Sequence, residues 1–182
     1  MRSRRKIIDA TSQLIEHGGF DAVNIAAVAE TAGVSRQTIY SIFGTRNELV
    51  SQTVAEITLA VVKEIRARLD ATDTPFEYLV ELVVAGRAAV RTHPVMMALL
   101  QVGDANPLFD PDMMDRASSV TAALLQPLID REPNLPDLKE IATVIMRMGL
   151  SIILFEDEYV RSDDDIREYL TRWLLPAMPF GL

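Results

Sequence analysis

Between Asn24 and Phe43, two short runs of helically spaced apolar residues are separated by only four residues, Ala32-Gly33-Val34-Ser35. That spacing limits what the chain can fold into. The first run sets Ile25, Val28, Ala29 and Ala32 behind Asn24, a residue type that caps helix starts. The second sets Ile39, Ile42 and Phe43 inward behind a second cap, Ser35. Gly33 is suited to the left-handed conformation that ends a helix, Val34 to filling the angle between the two, and Ala29 to a close crossing. A plain helical hairpin with a solvated polar face would satisfy any one of these signals. Taken together they describe a helix-turn-helix.

Helical periodicity holds along the rest of the chain, and nothing alternates as a strand does. Ile7, Ala10, Leu14 and Ile15 mark a first helix stopped by Gly18-Gly19. Thr45-Arg46-Asn47-Glu48 is a capping box opening a long helix to about Leu69, and Thr74-Pro75-Phe76-Glu77 opens another to about Thr92. A short helix follows His93-Pro94 and ends before Gly103. Further helices are expected from Pro111 to about Asp130 with a bend at Pro127, from Asp137 to about Tyr159, and from Asp163 to near Pro176. The expected fold is all-α with about nine helices. Residues 1–46 would form a three-helix helix-turn-helix domain, and residues 47–182 a helical ligand-binding and dimerisation domain.

Charge is distributed in the sense this division needs. The net charge is −8, yet residues 1–47 carry six cations (Arg2, Arg4, Arg5, Lys6, Arg36, Arg46) against four anions. A basic head on an acidic body suits a polyanionic partner. On the helix opening at Ser35, Gln37 and Ser41 point away from the inward residues, flanked by Arg36 and Tyr40 on one side and Thr38 on the other. A short helix with such a face fits a major groove about 12 Å wide. The Gln37 amide can read adenine bidentately, the Thr38 and Tyr40 hydroxyls suit phosphates, and Arg46 lies where the free N–H groups of a helix start favour a phosphate.

With Phe20, the residues Asn24, Val28-Ala29-Glu30-Thr31-Ala32-Gly33-Val34-Ser35, Thr38-Ile39-Tyr40, Phe43 and Arg46-Asn47-Glu48-Leu49 resemble the signature of the tetracycline-repressor (TetR) family. The resemblance covers about the first 50 residues. It implies a two-fold dimer, commonly a repressor released from an inverted-repeat operator by a small-molecule effector. It also places Arg36 and Gln37 near bases, and Asn24, Thr38, Tyr40 and Arg46 near phosphates. Asn24 stands where that family usually has threonine, Gly44 where proline is common, Arg46 where lysine is frequent, and Gln37 where a small residue is often found.

Other function classes find little support. There are no cysteines, and His17 and His93 are far apart and outside any metal-ligand spacing. No nucleophile–base pair or phosphate loop appears, so neither an enzyme nor a bound cofactor or metal is expected. The longest apolar stretch, Val144 to Phe155, is broken by Arg147 and Ser151, and the N-terminus lacks the apolar core of a signal peptide. A cytoplasmic protein without membrane association is expected. The alternative is a helical small-molecule-binding protein without operator-specific DNA binding.

For the sensing half the argument is chemical. Methionines recur as Met96-Met97, Met113-Met114, and Met146 with Met148, and this flexible, polarizable side chain suits adaptable apolar pockets as well as ordinary cores. Met96, Met97, Leu100, Phe109, Met113 and Met148 are the candidate lining of an effector pocket. Arg87 falls in the middle of the apolar stripe formed by Leu79, Val80, Val83 and Val90. A cation there needs a counter-charge, either a ligand anion or a carboxylate such as Glu156 or Asp157. The helix from Asp137 carries more apolar surface than one core needs, which points to a homodimer. Ile145, Ile152, Ile153, Leu170 and Trp173, together with Ile166 and Ala177, are its candidate interface.

Overall fold

The computed structural model describes residues 2–100, 111–131, 138–155, 158–174 and 176; at 111–119, 138, 139, 142 and 146 only the backbone is described. Nine α-helices follow one another among these residues, with one 3-10 turn and no strand: α1 Arg2–Gly18, the turn Phe20–Ala22, α2 Ile25–Ala32, α3 Arg36–Phe43, α4 Arg46–Leu69, α5 Pro75–Thr92, α6 Pro94–Leu100, α7 Pro111–Arg131, α8 Leu138–Leu154 and α9 Asp163–Leu174. The helices form two compact units, residues 1–60 with 93–114, and residues 61–92 with 115–182.

Local chemistry sets the helix ends. Asn24 accepts a hydrogen bond from Ala27 N at 2.9 Å at the start of α2, and Ser35 accepts one from Thr38 N at 3.1 Å at the start of α3. Gly33 closes α2 at φ 63°, where its N–H donates to Glu30 O at 3.2 Å and Val34 N–H reaches back to Ala29 O at 3.0 Å. This is a Schellman motif, and a residue with a Cβ would be strained at that φ. Both capping boxes form as read. Thr45 N donates to Glu48 at 2.8 Å, and Glu48 N to Thr45 Oγ1 at 3.1 Å. Thr74 and Glu77 exchange the same pair of bonds at 3.2 Å each. A third box, Ser162 with Asp165, opens α9 at 2.9 and 3.1 Å.

In the first unit, Ile7, Ile15, Phe20, Val23, Val28, Ile39, Phe43, Leu49 and Val54 are buried together. Helix α6 packs on α1 and adds Val95, Ala98 and Leu99 to the same core, with Met96 packed against it. Met96, expected in an effector pocket, is thus core filling for the N-terminal unit. Ile42, expected inward, is 37% exposed. Ile39 and Phe43, four residues apart, already make up the buried face of α3, and Ile42 sits at the edge of that face.

In the second unit α5 is central and packs against both α8 and α9. Tyr78, Leu79, Val80, Leu82, Val83, Val84, Ala85, Arg87 and Ala89 are buried, so the helix is enclosed around most of its circumference and not along one stripe. Leu69, Leu125, Leu128, Ile166 and Leu170 complete the core. Helix α7 runs through Pro127 to Arg131 without ending. Proline leaves the carbonyl four residues earlier, at Ala123, without its helical donor. The neighbouring carbonyl, of Leu124, is taken by the buried hydroxyl of Tyr78.

Helix α8 ends at Leu154, five residues before the expected Tyr159. The sequence continues as Glu156-Asp157-Glu158, and three carboxylates at a helix C-terminus oppose its dipole. Several residues expected at a dimer interface are instead buried in their own chain: Ile145, Ile152, Ile166 and Leu170. They cover the core that α8 and α9 share with α5. Trp173 is 65% exposed, Ile153 is half-buried, and Ala177 lies outside the described residues. No helix among the described residues is long and apolar enough to cross a membrane.

Candidate nucleic-acid interface

Helix α3 buries Ile39 and Phe43 and turns the rest of its surface outward. Arg36, Gln37, Tyr40 and Ser41 are exposed, with Tyr40 at 54%. The Ser35 hydroxyl serves the helix start twice, accepting from Thr38 N and sharing a 2.8 Å hydrogen bond with the Thr38 hydroxyl. Ser35 and Thr38 therefore act first as a cap, which fixes the first turn of α3 and with it the direction of Arg36 and Gln37. Asn24 does the same for α2. Ile42 extends the outer face with an apolar edge. Its place three residues after Ile39 and one before Phe43 was the sequence signal for this.

Two of the basic residues credited to the flank turn inward. Arg4 donates to Glu56 at 2.9 Å and to Gln52 at 3.3 Å, and its guanidinium lies 5.7 Å over the Phe43 ring. It ties α1 to α4 and steadies the end of α3. Arg46 donates from Nε to Val23 O at 2.5 Å and from Nη2 to Phe20 O at 2.6 Å. No periodicity argument finds either set of partners, because each lies more than twenty residues away.

Of the candidate pocket residues, Arg87 is the most fully defined. It is 4% exposed, and its Nη2 donates to Val160 O at 3.1 Å and to Arg161 O at 2.9 Å, with Asp163 at 3.8 Å from Nη1. It fastens the segment leading into α9. Glu156 and Asp157, the carboxylates suggested for it, lie outside the described residues. Met97, Leu100 and Met148 are half-buried. Phe109 lies outside the described residues, and the Met113 side chain is not described. Among the described residues, no cluster of His, Asp or Glu has metal-holding geometry.

A helix-turn-helix with capped, outward-facing α3, on an all-α body, defines a helical DNA-binding regulator. Comparison with known proteins agrees. Residues 7–53 match the family model for bacterial regulatory proteins of the tetR family. The chain is 30% identical over 156 residues to the transcriptional repressor KstR of Mycolicibacterium smegmatis, covering 83% of this chain and 74% of that protein. It is 29% identical over 182 residues to the transcriptional regulator AlkX of Mycobacterium tuberculosis, covering 95% and 83%. Among solved structures, the TetR-family repressor AlkX from Dietzia sp., implicated in biodegradation of n-alkanes, superposes with a TM-score of 0.61 at 27% identity, covering 96% of this chain and 94% of that one. The chain belongs to the TetR family and is a ligand-responsive, DNA-binding transcriptional regulator.

Proposed function

We propose that this regulator is a cytoplasmic homodimeric repressor, with residues 1–46 reading DNA and residues 47–182 binding the effector and forming the dimer. The observation that carries the reading is the outer face of α3, where Arg36, Gln37, Tyr40 and Ser41 are exposed above a capped first turn. Gln37 and Arg36 read base edges, while Tyr40, Ser41 and the N-terminal N–H groups of α2 and α3, capped by Asn24 and Ser35, hold phosphates. A two-fold dimer sets two α3 helices about 34–36 Å apart, or a multiple of that, and selects an inverted repeat.

The dimer face is the apolar surface left outside the core of α8 and its continuation. Val144, Leu154 and Phe155 are exposed there, Phe155 at 71%, and Trp173 extends the surface on α9. Exposed apolar area on this scale is covered by a partner in soluble proteins. A second copy is the simplest partner.

The effector is a small, largely apolar molecule. Half-buried Met148 on α8 keeps a methionine available for adaptable contact in the second unit. The Dietzia relative's part in n-alkane biodegradation makes a molecule with an alkyl chain the first class to try. Selection from a randomised duplex library tests the operator reading. An enriched inverted repeat is expected, and alkyl-chain compounds should release it. Binding without an enriched half-site would favour a helical small-molecule-binding protein that lacks operator specificity.

A further inference from the structure

We infer that Arg46 is the positioning residue that closes the helix-turn-helix into a ring, and that it does not act as a phosphate contact. The inference rests on the DNA-reading role of α3 proposed above.

The chain from Val23 to Arg46 is the helix-turn-helix itself: α2, the Gly33 turn, α3 and the Gly44 turn. At its two ends, Arg46 Nε donates to Val23 O at 2.5 Å and Nη2 donates to Phe20 O at 2.6 Å. These two carbonyls bracket the turn that leads into Asn24, the cap of α2. One guanidinium therefore fixes where α2 begins relative to where α4 begins, and everything between hangs from those two points. The bonds are short and charge-assisted, and the planar fork of arginine reaches two carbonyls at once, which a lysine ammonium on its flexible stem does not reproduce. A cation in the first turn of α4 opposes the helix dipole unless it is bound elsewhere, and both carbonyls supply that binding. The Thr45–Glu48 capping box holds the backbone from which Arg46 projects. Nε and Nη2 are committed to these two carbonyls and Nη1 lies 3.4 Å from Asn47 Oδ1, so the chain's own acceptors take up the guanidinium.

The test compares Arg46→Lys and Arg46→Ala with the wild-type chain. Each is titrated, at a temperature where it is fully folded, against the duplex recovered by selection and against a random-sequence duplex over a range of salt. Wild-type protein must first prefer the selected duplex; if it does not, the reading of α3 fails, whatever Arg46 does. A positioning role predicts that both variants lose affinity for the selected duplex by about tenfold, the scale of one charge-assisted hydrogen bond. Binding to the random duplex and the salt slope stay as in wild type, and amide exchange in the first turn of α2 quickens. A phosphate contact predicts a salt slope shallower by about one per subunit in Arg46→Ala and unchanged binding in Arg46→Lys, and that result overturns the inference. A lower melting temperature with both affinities retained also overturns it, because the residue would then only support the fold. Failure of Arg46→Lys to fold has the same consequence.

Discussion

Glu81 and Arg68 meet at 2.6 Å across α5 and α4, and the other carboxylate oxygen of Glu81 accepts from Arg167 of α9 at 3.0 Å. Three helices are joined at one acid whose side chain is only 15% exposed. Asp163 extends the network to Arg68 at 3.4 Å, and Asp164 pairs with Arg167 at 2.8 Å. Nothing in the helix periodicity marks Glu81 for this role. Glu81→Gln should lower stability by about 1–3 kcal/mol, since it leaves two half-buried guanidiniums facing a neutral amide. Denaturant unfolding followed by circular dichroism measures it. A change below the error of that experiment would mean the network is screened as a surface pair would be.

Arg87 gives a sharper test of structure against ligand binding. Its bonds to Val160 O and Arg161 O fasten the approach to α9. Arg87→Ala should cost about 2–4 kcal/mol, because two backbone carbonyls lose a buried charged donor. The melting temperature should drop while the response to any effector persists in the folded fraction. Loss of effector response without loss of stability would move Arg87 into the pocket.

Acid should loosen the start of α9 first. Asp165 is held below the ordinary carboxylate range by hydrogen bonds from the Ser162 side chain and then its backbone. A depressed pKa means that the carboxylate contributes stability above its unfolded value and loses that contribution as pH falls through the folded one. The window is therefore below about pH 4. Amide exchange at Ser162, whose N–H the carboxylate accepts at 2.9 Å, should quicken there relative to its intrinsic rate, and Asp165→Ala should bring the same loss of protection to neutral pH. Equal exchange in both proteins at neutral pH would show that Ser162 caps α9 alone.

Alkali acts at Tyr78. Burial pushes its pKa up, against the opposing charge of Arg131. The neutral phenol is the folded form, so its contribution is complete below about pH 10 and falls as pH rises past that value. Tyr78→Phe should remove the bond to the Leu124 carbonyl at a cost of about 1 kcal/mol and flatten this alkaline decline. Thermal melts at neutral and alkaline pH compare the two.

Phe155 and Val144 test the dimer. Each stands exposed on α8 or just beyond it. Phe155→Asp with Val144→Asp should shift sedimentation from twice the 20.2 kDa chain mass to the monomer, with helix content retained. Substituting Ile145 or Ile152 should instead unfold the chain, by about 2–4 kcal/mol for a truncation to alanine. Monomeric wild-type protein at micromolar concentration would remove both the dimer and the inverted repeat.

The sequence alone determined most features that depend on neighbours within one helical turn, although the Ser162–Asp165 box was not among those read. The caps at Asn24, Ser35, Thr45 and Thr74, the left-handed Gly33 and the starts of α3, α4 and α5 are set by bonds spanning a few residues, and the residue types declare those bonds. The outward face of α3 was legible for the same reason, except at Ile42, which lies on the boundary of the buried face. Tertiary structure alone decided which apolar residues of α8 and α9 are core and which stay outside. Helix α8 is apolar beyond what one face needs, and packing of α5 against α8 and α9 picks Ile145, Ile152 and Leu170 over Val144, Phe155 and Trp173. It likewise decided the partners of Arg4, Arg46, Arg68 and Arg87. An arginine's charge is visible in the sequence, but the acceptor that binds it is brought by chain folding from 13 to 95 residues away.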